Sequence, residues 1–314
     1  MTDHVLTASG LTKHYGTGAG VVRAVDGIDL EVGRGEIVGL VGESGCGKST
    51  LGRMLVRLLE PTSGSIVFEH ADITRQHGQA LKPVRKRLQM IFQDPMSSLN
   101  PRASVGRILE EPLIVHGIGT RQERKEAVAE MLLRVGLPAA AAARSPHEFS
   151  GGQRQRIGIA RALLLRPSLV ICDEPVAALD VSIRAQVVNL LLDLKEAYQL
   201  SYLFISHDLT LVEHIADRVI VMYLGQIVES APAEHLWSNP AHPYTRALMS
   251  SVPVADPRQG FQAASIAGEP PSPVNLPQGC RFKGRCPGAA KRCAEQEPQL
   301  REVSPGHFAA CHFS

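Results

Sequence analysis

Short apolar runs alternate with amphipathic stretches through most of the chain. Four of these runs are too short for helices and are typical of strands buried on both faces; they lie at residues 37–41, 169–172, 202–205 and 219–222. Residues 48–59 and 181–198 instead carry apolar residues at helical spacing. Strands that alternate with helices predict an α/β core with a largely parallel sheet.

The segments around this core have different patterns. Residues 5–8, 21–25 and 28–32 read as short strands between glycine-containing turns, which predicts a small antiparallel sheet at the N-terminus. Residues 95–165 change to loops and helical spacing and predict a helical insertion. Prolines then recur and periodicity fades, so residues 236–314 are expected to form an irregular extension with little core of its own.

The composition is that of a folded chain without a dominant charge. Hydrophobic residues make up 44% of the 314 residues, and 33 Lys and Arg against 31 Asp and Glu leave a net charge of +2. This balance excludes a global field that would attract nucleic acid as the main partner. No window approaches the roughly 20 apolar residues of a membrane span, and residues 1–4 lack a secretory pattern, so we expect a cytoplasmic chain with reduced cysteines.

Residues 42–49 match the phosphate-binding pattern G-x-x-x-x-G-K-[ST] at every fixed position, between a predicted strand and a predicted helix. In this pattern glycines let backbone N–H groups approach an anion, Lys48 reaches the β- and γ-phosphates, and Ser49 gives a hydroxyl to Mg²⁺. Cys46 lies beside these amides, which predicts a lowered thiol pKa. The candidate nucleotide-binding residues here are Gly42, Glu43, Ser44, Gly45, Cys46, Gly47, Lys48, Ser49 and Thr50.

Two carboxylates follow the buried run at residues 169–172. Asp173 and Glu174 stand at the strand end where ligands bind in open α/β sheets. Asp173 suits Mg²⁺, and Glu174 suits a general base for the water that attacks the γ-phosphate. Together with residues 42–49 they predict a nucleoside triphosphatase.

A third motif lies between these two, where residues 150–153 read Ser-Gly-Gly-Gln and open a basic amphipathic helix. The three motifs, in this order, resemble the ATP-binding cassette of ABC transporters. The resemblance covers residues 4–235 and implies a P-loop NTPase core of RecA-like fold whose helical insertion carries the signature. We therefore place a nucleotide-binding domain at residues 1–235, with the helical subdomain at about 95–165, and a C-terminal extension at 236–314.

The resemblance also implies roles for single residues. Tyr15 would stack on adenine, Gln93 would help hold Mg²⁺ beside Ser49 and Asp173, and His207 would be the switch histidine. Asp180 lies in the loop that contacts a second subunit, and it is also the expected N-cap of the helix at residues 181–198.

In the family two cassettes pack head to tail. Ser150, Gly151, Gly152 and Gln153 of one subunit then face the γ-phosphate held by Lys48 of the other. A hydroxyl and glycine amides at a helix N-terminus supply the second anion site that this arrangement needs.

Narrower matches place the chain near one branch of the family. Residues 93–102, 146–149 and 279–287 resemble ATPases of dipeptide and oligopeptide importers, in particular the second of their two ATPase subunits. This implies a different cassette as partner, with a homodimer as the alternative, and two transmembrane permease subunits. It also implies an extracytoplasmic solute-binding protein reached indirectly, no nucleic acid, and a peripheral location on the cytoplasmic face of the plasma (inner) membrane. The rival interpretations are an ATPase of a nickel or other-solute importer and a soluble ABC ATPase of translation or DNA repair.

Four cysteines fall in the extension, namely Cys280, Cys286, Cys293 and Cys311. Their grouping favours a local metal site over a disulfide framework, and their intervals are not the paired C-x-x-C spacing of a zinc ribbon. The importer resemblance implies a [4Fe–4S] cluster; zinc and four separate thiols are the alternatives. His307 and His312 are candidate substitute ligands, and Cys172 is expected to be a small core hydrophobe. We expect loss of Cys286 to leave ATP binding largely intact.

Overall fold

The described part of the chain comprises residues 3–18, 20–94, 98–251, 268, 271–274 and 276–314 of a computed structural model. Pro95, Met96 and Ser97 of the importer-like segment at 93–102 lie outside it. The described residues form two compact units. The first contains residues 3–5, Val32–Gly35 and Phe68–Leu203, and the second contains Leu6–Glu31, Glu36–Val67 and the described residues from Phe204 onward.

The secondary structure alternates as the apolar pattern predicts. The strands along the described residues are β1 (His4–Thr17), β2 (Gly20–Gly33), β3 (Ile37–Val41), β4 (Ser63–Phe68), β5 (Ala71–Asp72), β6 (Leu88–Ile91), β7 (Leu169–Asp173), β8 (Ser201–Ile205), β9 (Arg218–Tyr223), β10 (Gln226–Pro232), β11 (Arg301–Ser304) and β12 (His307–Ala309). The α-helices are α1 (Lys48–Leu55), α2 (Lys82–Arg87), α3 (Val105–Val115), α4 (Arg121–Arg134), α5 (Gly151–Leu163), α6 (Val181–Tyr198), α7 (Leu209–Ile215), α8 (Ala233–Ser238), α9 (Pro243–Ser250) and α10 (Lys291–Glu295). Short 3₁₀ helices lie at Gly78–Leu81, Ala139–Ala143 and Pro146–Glu148.

The predicted N-terminal sheet is confirmed and is larger than predicted. Strands β1 and β2 form an antiparallel hairpin, and the sheet order is β2-β1-β4 within the second unit. The predicted strands cover only the apolar parts of this hairpin. Residues 13–17 and 20–24 are mostly exposed or half-buried, so backbone pairing extends the hairpin where no buried face marks it.

The second unit also contains a mixed sheet with strand order β11-β12-β10-β9-β3. Strand β3 pairs in parallel with β9, whereas β10 is antiparallel to both β9 and β12. All five residues of β3 are buried, as its continuous apolar run predicts. The hairpin β11–β12 belongs to the C-terminal extension, so the extension adds ordered strands to the sheet.

The first unit carries the helical insertion. Strands β6 and β7 pair in parallel, with Ile91 opposite Cys172. Helices α3, α4 and α5 lie between these strands along the chain, and α3 packs against the other two. The helix predicted at 181–198 is observed as α6 with the same bounds. Parallel pairing places the carboxyl ends of β6 and β7 side by side, so the residues that follow the two strands also lie close together.

One predicted helix boundary differs from the structure and another agrees with it. The helix predicted at 48–59 ends at Leu55, because the backbone turns at Arg57 into the left-handed region with φ of 56°. Asp180 occupies the N-cap position of α6, but its side chain makes no capping hydrogen bond. The N-cap position predicted for Asp180 is therefore confirmed, and its exposed carboxylate is not used for capping.

Candidate functional site

The phosphate-binding loop joins β3 to α1 in the second unit. Gly47 has φ of 107°, and a Cβ built there would lie 2.0 Å from the Ala24 carbonyl oxygen. Gly42 has φ of 151°, and its Cβ would lie 2.1 Å from the Met222 carbonyl oxygen. Any side chain at either position would collide with backbone, so the glycines of the motif are required by the path of the loop.

The Lys48 ammonium is held directly against this loop. Lys48 is only 4% exposed, and its Nζ donates to the carbonyl oxygens of Gly42 at 2.7 Å and Glu43 at 2.9 Å. Lys48 is also the first residue of α1, so a buried cation and a helix N-terminus occupy one place. This combination attracts a phosphate group.

Cys46 corrects an expectation from the sequence. The thiol is 4% exposed, and burial raises its pKa although the nearby Lys48 ammonium acts in the opposite direction. The loss of solvation outweighs the positive field at the loop. Cys46 is therefore a poor nucleophile, and the lowered thiol pKa predicted from its neighbours in sequence is wrong.

Tyr15 and His207 lie on accessible parts of the second unit. Tyr15 is 38% exposed on β1, with Lys13 Nζ 5.2 Å from the centre of its ring. His207 is exposed in the loop after β8, directly before Asp208, whose carboxylate caps α7 by accepting from the Leu211 N–H at 3.2 Å. An accessible ring and an accessible imidazole suit the two roles that the cassette resemblance implies.

The first unit brings Gln93 and Glu174 together. Gln93 lies two residues after β6 and Glu174 directly after β7, so parallel pairing of the two strands sets the residues side by side. Gln93 Nε2 donates to Glu174 Oε2 at 2.9 Å. Glu174 has φ of 46°, a left-handed conformation that costs a non-glycine residue on the order of 1 kcal/mol or more and is concentrated at functional sites. Asp173, which precedes it, is 1% exposed.

Residues 150–153 form the start of α5. The Ser150 hydroxyl accepts from the Gln153 N–H at 3.3 Å, and the Gln153 Oε1 accepts from the Ser150 N–H at 3.0 Å. This reciprocal capping box fixes the helix start while leaving both side chains exposed. A Cβ at Gly152 would lie 2.5 Å from the Ile183 Cγ2 atom, so the close contact between α5 and α6 requires glycine there.

The four cysteines of the extension line a single cavity of about 800 Å³. Cys293 is buried, and Cys280, Cys286 and Cys311 are half-buried. Burial raises the pKa of Cys280 and of Cys286, and neighbouring thiols of the group act in the same direction. Within the described residues no three His, Cys, Asp or Glu side chains converge as ligands of one metal ion.

The two candidate substitute histidines separate in the structure. His312 borders the cysteine cavity. His307 is 2% exposed and bonds to the fully buried Glu229, with 2.7 Å between Nε2 and Oε1. The substitute-ligand role suggested for His307 is wrong, because its ring is bonded to the buried Glu229 carboxylate and does not line the cysteine cavity. Cys172 lies in the core of β7 with no exposed surface, and burial raises its thiol pKa, which confirms it as a small hydrophobe.

Comparison with known proteins agrees with this geometry. Residues 25–177 match the family "ABC transporter", and residues 228–293 match "Oligopeptide/dipeptide transporter, C-terminal region". The chain belongs to the ABC transporter family, in the oligopeptide/dipeptide group. It is 55% identical to the oligopeptide transport ATP-binding protein AppF of Bacillus subtilis, over 94% of this chain and 90% of AppF. It is 53% identical to a peptide import ATP-binding protein of Brucella ovis, over 98% and 97% of the two chains.

Solved structures show the same fold. The ATP-binding cassette MJ0796, determined as a dimer in a post-hydrolysis state with ADP and Pi, aligns with a TM-score of 0.67 and 28% identity, over 73% of this chain and 98% of that one. CbiO1 of Clostridium perfringens, part of the ABC transporter complex cbiONQ, also aligns with a TM-score of 0.67 and 28% identity, over 76% and 92%. This ABC transporter subunit is an ATP-hydrolysing enzyme. Within its described residues no helix has the length and apolar character needed to cross a membrane.

Sequence reasoning missed the residues that hold the phosphate-binding loop from outside. Tyr244 of α9 and Arg285 of the extension both bond to Glu43. Arg281 likewise bonds to Asp26 of β2. Both arginines lie in the importer-like stretch at residues 279–287, but that resemblance gives neither of them a bonding partner.

Proposed function

We propose that this chain is the ATPase subunit that powers uptake of dipeptides or oligopeptides through a separate permease. Its similarity to the peptide import relatives extends over at least nine-tenths of each chain and includes the C-terminal region specific to that group. The full-length match carries the proposal, because the cassette alone is common to transporters of many solutes.

The nucleotide site divides the work among residues of different chemistry. Lys48 and the loop amides bind the β- and γ-phosphates. Ser49, Gln93 and Asp173 would hold Mg²⁺, as the cassette resemblance implies, since a hydroxyl, an amide carbonyl and a carboxylate are the hard oxygen donors that this ion prefers. Gln93 fits this role because its NH₂ group bonds to Glu174 and leaves its carbonyl oxygen as the acceptor. Bound Mg²⁺ neutralises phosphate charge.

Glu174 is the general base in this proposal. Its carboxylate accepts a proton from the attacking water, and Gln93 fixes the orientation of that carboxylate. His207, exposed after β8, contacts the γ-phosphate as the switch histidine. Tyr15 stacks on adenine through its exposed ring.

We further propose that two cassettes close head to tail around ATP. Ser150, Gly151, Gly152 and Gln153 would complete the γ-phosphate site of the partner, and the exposure of Ser150 and Gln153 supports this. Asp180 and the neighbouring Val181, which is 80% exposed, would contact the partner directly. We assign a different cassette as that partner, two permease subunits at the cytoplasmic face of the inner membrane, and a solute-binding protein reached only through the permease.

We propose a [4Fe–4S] cluster as a structural element of the extension, as the importer resemblance implies. Its candidate ligands are the four thiols that line one cavity, although within the described residues no three side chains converge as ligands of one metal ion. If the cluster is present, protein purified without oxygen should be brown and should contain iron and acid-labile sulfide at about four per chain. Colourless protein with one zinc per chain would contradict the cluster.

Transport is tested in the host strain with this gene deleted. Uptake of a labelled dipeptide and of a labelled tetrapeptide should fall to background and should be restored by the parent gene but not by a Lys48→Ala variant. A strain that keeps peptide uptake and loses uptake of nickel or another solute would contradict the peptide assignment. A strain with normal uptake of all these solutes would contradict a transport role.

A further inference from the structure

The Cys280–Cys286 loop is bonded directly to the phosphate-binding loop within the second unit. The Arg285 guanidinium bonds to the Glu43 carboxylate in a bidentate pair, with Nη1 to Oε2 at 2.8 Å and Nη2 to Oε1 at 2.9 Å. The Arg285 side chain is 6% exposed and that of Glu43 27%. Two parallel bonds fix orientation as well as distance, so this pair defines the position of Glu43.

The backbone of Glu43 is held by the same region. Its N–H donates to the Tyr244 hydroxyl at 2.8 Å. Tyr244 is fully buried, and its ring lies 4.6 Å from that of Tyr223 and 5.5 Å from that of Phe282. Phe282 belongs to the cysteine loop, so the groups that hold Glu43 are themselves packed together. They form a rigid support.

Glu43 is in turn a direct neighbour of the phosphate-binding cation. Its carbonyl oxygen accepts from Lys48 Nζ at 2.9 Å and from the Cys46 N–H at 3.3 Å. The other acceptor of the Lys48 ammonium is the Gly42 carbonyl oxygen, which belongs to the peptide group that ends in the Glu43 N–H. A shift of Glu43 therefore moves both oxygens that hold the ammonium. A displacement of about 1 Å at a positioning group is enough to change an active site's efficiency strongly.

A second arginine fixes the other side of the cysteine loop. Arg281 is 8% exposed, donates to the Leu224 carbonyl oxygen at 2.5 Å, and bonds to Asp26. Asp26 also bonds to His14 at 2.8 Å, next to Tyr15. The loop is thus attached beside the phosphate-binding loop through Arg285 and beside the proposed adenine-stacking residue through Arg281.

From these contacts we propose that the cysteine loop is part of the nucleotide-binding machinery, with Arg285 as a positioning residue that sets ATP affinity through Glu43. The proposal rests on the proposed role of residues 42–49 in phosphate binding. It also replaces the expectation that the extension and the ATP site act separately. Because Arg281 follows Cys280 and Arg285 precedes Cys286, any change that moves these cysteines moves the supports of the ATP site.

The test measures ATP affinity and turnover in the full chain. Arg285→Met and Glu43→Gln should each weaken ATP binding on the order of ten-fold, the range of ordinary coupling between sites. The double variant should be no weaker than either single variant, because each removes the same interaction. Arg285→Lys keeps the charge but loses the bidentate pair with Glu43, so its ATP affinity should lie between those of the parent and Arg285→Met. Arg292→Met, at an exposed arginine of α10, is the matched control and should bind as the parent does.

A kinetic measurement separates positioning from general damage. At saturating ATP the Arg285→Met and Glu43→Gln variants should keep a kcat within about two-fold of the parent while KM for ATP rises, since the groups that react are intact. Thermal melting shows whether each variant is folded at the assay temperature. Glu43→Gln, which only replaces a carboxylate oxygen by an NH₂ group, keeps the test valid if Arg285→Met does not fold.

Three outcomes would overturn the proposal. Arg285→Met and Glu43→Gln could both bind ATP within two-fold of the parent while Lys48→Ala loses binding, which would leave the phosphate-binding loop correct and remove its dependence on the extension. Alternatively, Lys48→Ala could bind as the parent does, which would remove the phosphate-binding assignment and this inference with it. Additive effects of Glu43→Gln and Arg285→Met would likewise contradict a shared interaction.

Discussion

Replacement of Glu174 by glutamine removes the proposed base and leaves the other features of the site unchanged. The two side chains have nearly the same shape, and the amide oxygen of the variant can accept the same bond from Gln93 Nε2 that the carboxylate accepts at 2.9 Å. The left-handed backbone at φ of 46° carries the same cost for either residue. The fold and the contact with Gln93 should therefore survive, and only the ability to take a proton is lost.

The expected loss is the contribution of a positioned general base. That contribution is about 10²- to 10⁴-fold in rate, which corresponds to roughly 3–5 kcal/mol of transition-state stabilisation. ATP affinity should stay within a few-fold of the parent, because phosphate binding is assigned to Lys48 and the loop around it. We therefore expect a variant that binds ATP and scarcely hydrolyses it.

The assay follows phosphate release in a single turnover and ATP binding in a separate titration. Glu234→Gln is the matched control, since it makes the same chemical change at an exposed residue of α8. Hydrolysis by Glu174→Gln at the parent rate would refute the reasoning. An equal loss in Glu234→Gln would show that the chemical change, and not the position, is responsible.

Three further predictions concern single residues. Gly152→Ala should destabilise the protein by about 1–3 kcal/mol through overpacking, whereas Gly158→Ala should not, because a Cβ there meets nothing within 4 Å. If thermal melting shows Gly152→Ala to be as stable as Gly158→Ala, the close contact between α5 and α6 is contradicted. Burial lowers the pKa of His242 to about 4, below its unfolded value of about 6.5, so the free energy of unfolding should fall by on the order of 3 kcal/mol as pH drops from 6.5 to 4. His242→Asn can still cap α9 and should lose this part of the pH dependence in denaturant titrations. Cys46 should react with iodoacetamide at least about ten-fold more slowly in native than in unfolded protein, and rapid native labelling seen by mass spectrometry would contradict its burial.

The core strands and the phosphate-binding loop could be predicted because their signals are local. A continuous apolar run determines a strand buried on both faces, and the loop from Gly42 to Lys48 follows from residue types at fixed spacing. The contact of Gln93 with Glu174 was also within reach, because parallel pairing of β6 and β7 puts the ends of both strands at one edge.

The predictions that were wrong share a different cause. At each of these residues two effects oppose each other, and the sequence does not show which effect is larger. At Cys46 the positive loop and burial act in opposite directions, and only the structure shows that burial dominates. At the end of α1 the helical spacing of apolar residues continues to Leu59, but the backbone turns at Arg57 and ends the helix. The sequence therefore shows which effects act on a residue but not which of them dominates.

The pair of Glu43 and Arg285 could not be predicted at all. The two residues stand 242 positions apart, and the chain offers 33 basic and 31 acidic residues for such pairs. No periodicity or motif selects one combination among these. Long-range ion pairs therefore appear only once the fold brings their elements together.

The hairpin β11–β12 has a consequence for the order of folding. It covers the edge of β10 and brings His307 to the buried Glu229, 78 positions earlier in the chain. Closing so long a loop is slow, and until it closes β10 presents unpaired backbone groups and an uncompensated carboxylate. Docking of the hairpin should then be a late step. Before it docks, the open edge of β10 in one molecule can pair with β10 of another molecule. The yield of refolding should consequently fall as protein concentration rises.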